Sequence, residues 1–156
     1  MIIDRQKLLS LIQKLKTEGK RIVFTNGCFD ILHSGHIDYL KKTKELGDIL
    51  IIGINSDESV KKIKQQNRPI NKLLDRMIVL DSIKYVDYVV PFNEETPENL
   101  IKIIKPDVLT KGGDWNEKDV IGSNFVKSYG GKTVIIPYIK GKSTTNTIKR
   151  IRDLFS

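Results

Sequence analysis

The sequence predicts an α/β fold: a doubly wound domain on a five-stranded parallel sheet. Three observations carry that prediction. Short β-branched runs alternate with longer amphipathic segments along the chain, which is the β-α-β pattern. The runs are nearly continuous in apolar residues rather than alternating, as strands buried on both faces must be. A length of 156 residues is enough for one domain with a real core.

The elements follow in order. A helix is expected over residues 4–18, with Asp4 as its N-cap and Gly19 as its stop. A strand over 21–25 leads to a helix over 35–46, which Gly47 ends. A strand over 49–54 precedes helices over 57–65 and 73–83, with Ser56 or Asp57 suited to cap the first. A strand over 88–91 then leads to a helix over 97–104, where Thr96 is the expected cap and Pro97 the first helical residue. Strands over 108–111 and 132–137 alternate with helices over 122–128 and 145–154. The polar stretch 64–68 has no apolar anchor and is the expected least-ordered loop. No linker or repeat divides the chain, so residues 1–156 read as one domain, with an N-terminal helix in 1–20 and a core over 21–151. This Rossmann-like order puts a ligand beyond the C-terminal strand ends, near a switch in strand order.

Composition narrows the partners. The net charge is +8, but the lysines are spread over most predicted helices and no aromatic-interleaved basic stripe appears. That reads as a solvated surface suited to anionic small molecules, not as a nucleic-acid face. No apolar run approaches the roughly 20 residues that span a bilayer, and the start Met1-Ile2-Ile3-Asp4-Arg5 lacks a signal-peptide pattern. Cys28 is the single cysteine, which leaves no internal disulfide and suits a reducing cytoplasm.

The chemistry concentrates at Asn26-Gly27-Cys28-Phe29-Asp30-Ile31-Leu32-His33-Ser34-Gly35-His36, at a strand-to-helix turn. Both histidines of the chain fall there. A helix start offers free N–H groups and a dipole that favours anions, Gly35 permits close approach, and His33 and His36 add donors. The pair would also suit a metal, but no further ligand lies in the His-Ser-Gly-His turn. Later strand ends supply Asn55-Ser56-Asp57, Lys111-Gly112-Gly113-Asp114-Trp115 and Gly141-Lys142-Ser143-Thr144-Thr145. The glycine pair could be a plain turn and the hydroxyl run a helix cap. Yet Lys111 could meet phosphate, Asp114 could accept from a ligand, and the hydroxyls could hold phosphate. Gly141-Lys142-Ser143 is not a P-loop, because Ile136 stands where the motif needs glycine. No GxGxxG follows the first strand. Cys28 reads as packing rather than as a nucleophile. Arg76 is either an ordinary surface residue or a bidentate phosphate clamp.

His33-Ser34-Gly35-His36 resembles the HxGH signature of the nucleotidyltransferase superfamily that includes cytidylyltransferases, pantetheine-phosphate adenylyltransferase and class I aminoacyl-tRNA synthetases. Adding Gly27 to His33, Asn55-Ser56-Asp57, Arg68-Pro69-Ile70-Asn71, Arg76 to Leu80, Lys111 to Asp114 and Ser143 to Asn146 narrows the match. The ordered set, over about residues 21–151, resembles the bacterial D-glycero-β-D-manno-heptose 1-phosphate adenylyltransferases. That family often forms the C-terminal half of a bifunctional protein fused to a sugar kinase. The chain is too short to hold the kinase half, so a stand-alone adenylyltransferase or an excised domain is expected, with Met1 and the first helix favouring a natural start.

The resemblance implies a fold of the HxGH nucleotidyltransferase type and a transfer of AMP from ATP to a heptose 1-phosphate. It implies catalytic roles for His33, His36, Arg76 and Lys111. It assigns Asn26, Gly27, Cys28, Phe29, Gly35, Gly112, Gly113, Asp114, Ser143, Thr144 and Thr145 to the nucleotide. It assigns Asp30, Asp57 and Asn71 to the sugar substrate. Mg²⁺ is implied mainly on the ATP phosphates, with no dedicated metal site on the protein. The nearest competitor is glycerol-3-phosphate cytidylyltransferase. Tyr138 stands where that family carries an arginine that helps read cytosine, and Lys142 where it carries isoleucine. A CTP-dependent enzyme, or a nucleotide-binding module without turnover, stay open at this point. Doubly wound enzymes of this size often dimerise, so a homodimer is an open expectation with no residue pattern marking its interface.

Overall fold

The computed structural model describes residues 1–64 and 67–156. Of the stretch expected to be least ordered, Gln65 and Gln66 lie outside the described residues. Five parallel strands, β1 (Ile22–Gly27), β2 (Ile49–Asn55), β3 (Tyr88–Phe92), β4 (Val108–Gly112) and β5 (Lys132–Ile136), form one sheet in the order β3-β2-β1-β4-β5. The helices are α1 (Arg5–Thr17), α2 (Ser34–Lys44), α3 (Asp57–Ile63), α4 (Leu73–Asp81), α5 (Glu98–Ile104), α6 (Ser123–Ser128) and α7 (Thr144–Phe155). The chain builds outward from β1 to β3, then crosses back over β1 to place β4 on its other side. The switch in strand order therefore falls between β1 and β4.

The continuous apolar runs are buried as their pattern required. In β1, Ile22 and Phe24 enter one core with Leu8, Ile12, Leu100, Ile101 and Leu109. Val23, between them, enters the opposite core with Leu40, Leu50, Ile52, Leu80 and Val108. A period of two with both faces covered leaves no room for polar alternation. Met1–Ile3 was not expected to pair, yet it extends the sheet at its β3 edge. Ile3 N–H donates to Val89 O, Val89 N–H donates to Met1 O, and Ile2 bridges Val89.

Two boundaries differ from expectation in ways that matter for the site. β1 runs on through Asn26 and Gly27 because these residues pair with Gly53 and Ile54 of β2. The turn is thus shorter than the motif suggested. Helix α5 begins at Glu98, Pro97 occupies the cap position, and Thr96 makes no cap bond. Ser56 caps α3 by accepting from Ser59 N–H. A single 3₁₀ turn, Glu117–Asp119, was not foreseen.

Candidate active site

A cleft of about 580 Å³ opens at the C-terminal ends of the strands, within the range of small-ligand sites. The end of β1 supplies Asn26 and Gly27, the loop after it Cys28, Phe29, Asp30 and His33, the start of α2 Gly35 and His36, and β2 ends in Asn55. Lys111 and Gly112 of β4 form the floor beside them, and Tyr138, Ile139 and Lys142–Thr145 close the side next to β5. Two cationic residues, Lys64 and Arg68, reach it from the far end of α3.

The two histidines cap helix α2 reciprocally. Gly35 N–H donates to His33 Nδ1 at 3.1 Å, and His33 N–H donates to His36 Nδ1 at 3.2 Å. A neutral imidazole whose Nδ1 accepts carries its proton on Nε2. Burial, and then the Lys142 charge, lower the His33 pKa. Burial, and then His33, push His36 down to about 4. Both rings are therefore neutral near pH 7, each with one Nε2–H donor, and their centroids are 4.0 Å apart. Gly35 is required by packing: a Cβ there would come within 2.9 Å of the His33 ring and 3.1 Å of Lys142 Cβ. The glycine between the histidines is thus the space into which the first ring folds back.

A buried hydroxyl chain anchors α2 beneath this corner. Tyr39 OH lies 2.7 Å from Thr25 Oγ1 of β1 and 3.0 Å from Thr110 Oγ1 of β4. It ties the helix to both strands at the topological switch. Sequence reasoning missed Tyr39, because an aromatic at a helical core position carries no mark of its hydroxyl partners.

Arg76 corrects an expectation. It is neither a surface residue nor a phosphate clamp facing the cleft: it is 1 % exposed. Its Nε donates to Asn71 O, its Nη1 to Cys28 O at 2.6 Å and Asn55 O at 2.9 Å, and its Nη2 to Asp57 Oδ1 at 2.8 Å. The guanidinium braces the loop after β1, the end of β2 and the start of α3 from behind. By holding the Cys28 carbonyl it supports the next residue, Phe29, at φ +46. That left-handed conformation costs a non-glycine residue roughly 1–2 kcal/mol. The Phe29 ring in turn lies over Gly27, where a Cβ would come within 3.0 Å of it.

The expected sugar contacts are likewise engaged. Asp30 accepts from Arg68 Nε and from the N–H groups of Ile70 and Asn71, while Asn71 Nδ2 donates back to Asp30 O. Burial pushes the Asp30 carboxyl up, but those backbone and arginine hydrogen bonds outweigh it and hold its pKa below the usual range. Asp30 still lines the cleft; Asp57 and Asn71 do not.

The remaining expected residues divide. Lys111 lies in the cleft, 5.2 Å from the Trp115 ring centroid, its pKa lowered by burial and then by the Lys64 charge. Asp114 is exposed and outside the cleft lining. A Cβ on either Gly112 or Gly113 would come within 2.7 Å of the Tyr138 ring, so the glycine pair is covered by that aromatic. Cys28 lines the cleft with its thiol pKa raised by burial, as a packed cysteine should be. Ser143 caps α7 by accepting from Asn146 N–H, and the Thr144 hydroxyl donates to Ile31 O at 2.8 Å. That bond ties the start of α7 to the histidine loop. Among the described residues, no three His, Cys, Asp or Glu side chains are grouped to hold a metal ion.

The cytidylyltransferase-like family model matches residues 24–151, which takes in all five strands and the histidine corner. The chain belongs to that family. It is therefore a nucleotidyltransferase. Relatives named bifunctional protein HldE are 53% identical over 151 residues in a Nitratiruptor species and 51% identical over 151 residues in Helicobacter hepaticus. Each match covers 97% of this chain but only 32% and 30% of the relative, so the chain spans about a third of their length. A lipopolysaccharide core biosynthesis protein from Thermoplasma volcanium superposes with a TM-score of 0.63 at 29% identity, covering 80% of this chain and 100% of that one. A pantoate-beta-alanine ligase from Francisella tularensis shares the fold, with a TM-score of 0.64 at 19% identity over 97% of this chain and 77% of its own. No helix among the described residues is long and apolar enough to cross a membrane.

Proposed function

We propose that this nucleotidyltransferase transfers AMP from ATP to D-glycero-β-D-manno-heptose 1-phosphate, giving ADP-heptose and pyrophosphate. The carrying observation is the reciprocal cap: two neutral rings, each with one Nε2–H donor, at the start of α2 beside Lys142 and the start of α7. The HldE relatives, near 50% identity over almost the whole chain, support the choice of substrates.

The acceptor's phosphate oxygen attacks the α-phosphorus, and the bond from that phosphorus to the α,β-bridging oxygen breaks. Its electron pair leaves with pyrophosphate. A phosphate monoester is already an anionic nucleophile, so no covalent enzyme intermediate is needed. His33 and His36 donate to phosphate oxygens as charge builds on them. Lys111 and Lys142 neutralise the polyphosphate. The Ser143 hydroxyl, whose oxygen accepts the cap bond, keeps its proton to donate, and the N–H groups of Thr144 and Thr145 face the anion at the helix start. Tyr138, rather than the glycine pair that it covers, forms the surface offered to the base. Arg76, Asp57 and Asn71 act as positioning residues.

Mg²⁺ would arrive on the triphosphate. Asp30, one of the cleft's carboxylates, is occupied by protein donors, and the ion would be held mainly through the nucleotide's phosphate oxygens and water. Its contribution when bound is to neutralise phosphate charge. ATP as donor and a reduced Cys28 suit a cytoplasmic reaction.

The test is pyrophosphate release with ATP or CTP against heptose 1-phosphate or glycerol 3-phosphate. Fast release with ATP and heptose 1-phosphate alone is expected. Faster release with CTP and glycerol 3-phosphate would overturn the assignment.

A further inference from the structure

The proposed acceptor carries many hydroxyls, yet most carboxylates near the strand ends are already engaged. Asp30 holds Arg68 and two backbone N–H groups, Asp57 holds Arg76, and Glu94 holds Arg5. Glu95 differs. It lies just beyond β3, it lines the cleft together with Thr96, and no donor among the described residues pairs with its carboxylate.

Sheet order gives this position meaning. The cations Lys111 and Lys142 follow β4 and β5, the histidines follow β1, and Glu95 follows β3 at the opposite edge. At about 4.8 Å per strand gap, β3 stands roughly 10 Å from β1, comparable to the length of a sugar phosphate. The cleft thus has a phosphate-binding centre with cations on the β4–β5 flank and a second cationic pair, Lys64 and Arg68, beyond α3; of its two lining carboxylates, Asp30 is engaged by Arg68, and Glu95 stands at the β3 edge. An ionised carboxylate accepts hydrogen bonds only, and its two oxygens can take two neighbouring hydroxyls.

Resting on the reaction proposed above, we infer that Glu95 reads the hydroxyls of the acceptor sugar and makes the enzyme select polyhydroxylated sugar 1-phosphates over short phospho-alcohols. Thr96 borders the same pocket and supplies a second hydrogen-bonding group.

The experiment measures KM for heptose 1-phosphate and for ATP in the wild-type chain, Glu95→Gln and Glu95→Asp. A parallel calorimetric titration follows heptose 1-phosphate binding without nucleotide. In Glu95→Gln the acceptor KM should rise about 10–100-fold, the range for losing a hydrogen bond to a charged group. The ATP KM should stay within about twofold and the melting temperature should not move. Preference for heptose 1-phosphate over glycerol 3-phosphate should fall by the same factor as the acceptor KM rises, and Glu95→Asp should recover part of it. An unchanged acceptor KM and unchanged calorimetric affinity would overturn the inference. So would a change confined to the ATP KM or the Mg²⁺ requirement, which would make Glu95 part of the nucleotide site. A wild-type chain that binds heptose 1-phosphate in a Glu95-dependent way but releases no pyrophosphate would refute the proposed reaction and leave the recognition role standing.

Discussion

The His33–His36 corner and the Arg76 brace are two polar constellations a few residues from the same cleft, and they use their hydrogen bonds in opposite ways. Each histidine gives one ring nitrogen to the backbone and keeps the other. Arg76 directs donors at four protein acceptors and retains almost no exposure. One region faces the ligand with capacity in reserve, and the other has turned its capacity inward to shape the loop that carries the first. A polar residue's prominence in a motif therefore does not say which side of the wall it serves. The count of its occupied donors and acceptors does.

The sharpest way to break this contrast is at Arg76. Replacement by methionine leaves the Asp57 carboxylate and three carbonyls without their donor, and should cost about 3–5 kcal/mol of stability, the scale for breaking a buried pair. Urea denaturation checks this. Arg76→Lys should recover part of the loss, and its folded fraction should bind ATP nearly as the parent does. A stable Arg76→Met protein with a collapsed ATP affinity would restore the phosphate-clamp role.

His36→Ala should reverse the pattern. Its kcat should fall roughly 10²–10³-fold, as for one transition-state donor, while the protein stays folded by circular dichroism. Near-normal turnover would remove the histidine corner from the chemistry.

A third test uses pH. The His36 pKa is about 4 in the folded chain against about 6.5 unfolded, and the His33 pKa is shifted in the same direction. Between those values the unfolded chain binds the proton and the folded chain does not. Stability should therefore be full above about pH 6.5 and fall steadily towards pH 4. Urea midpoints should show that slope, and His36→Gln should flatten it. A midpoint that rises on acidification would contradict a neutral capping pair.

The smallest effect is expected at Tyr138→Arg. If the ring over Gly112 and Gly113 takes part in base selection, the ATP/CTP preference should move towards CTP by about tenfold, the lower end for a charge-assisted hydrogen bond. An unchanged ratio in the pyrophosphate assay would exclude Tyr138 from that role.

Much of the cleft lining was legible because ligand-binding loops in a parallel sheet follow strand ends. That rule reached His33, His36, Lys111 and Ser143–Thr145. Applied to β3 it also reaches Glu95 and Thr96, of which only Thr96 stands out in the sequence, and there as a helix cap. It did not show that Asp57, Asn71 and Arg76 stand outside the cleft lining, or that Asp30, which lines it, is engaged by protein donors. Their residue types suit phosphate or sugar, and nothing local reveals partners that stand up to 48 positions away in the chain, as for Arg76 and Cys28.

Chain order and apolar periodicity alone determined the five parallel strands, the helices between them and the turn that bears both histidines, because these depend on neighbours within one segment. Only the folded sheet decided which polar groups stay available to a ligand. The order β3-β2-β1-β4-β5 brings distant loops together, and a donor's availability depends on which acceptors arrive beside it.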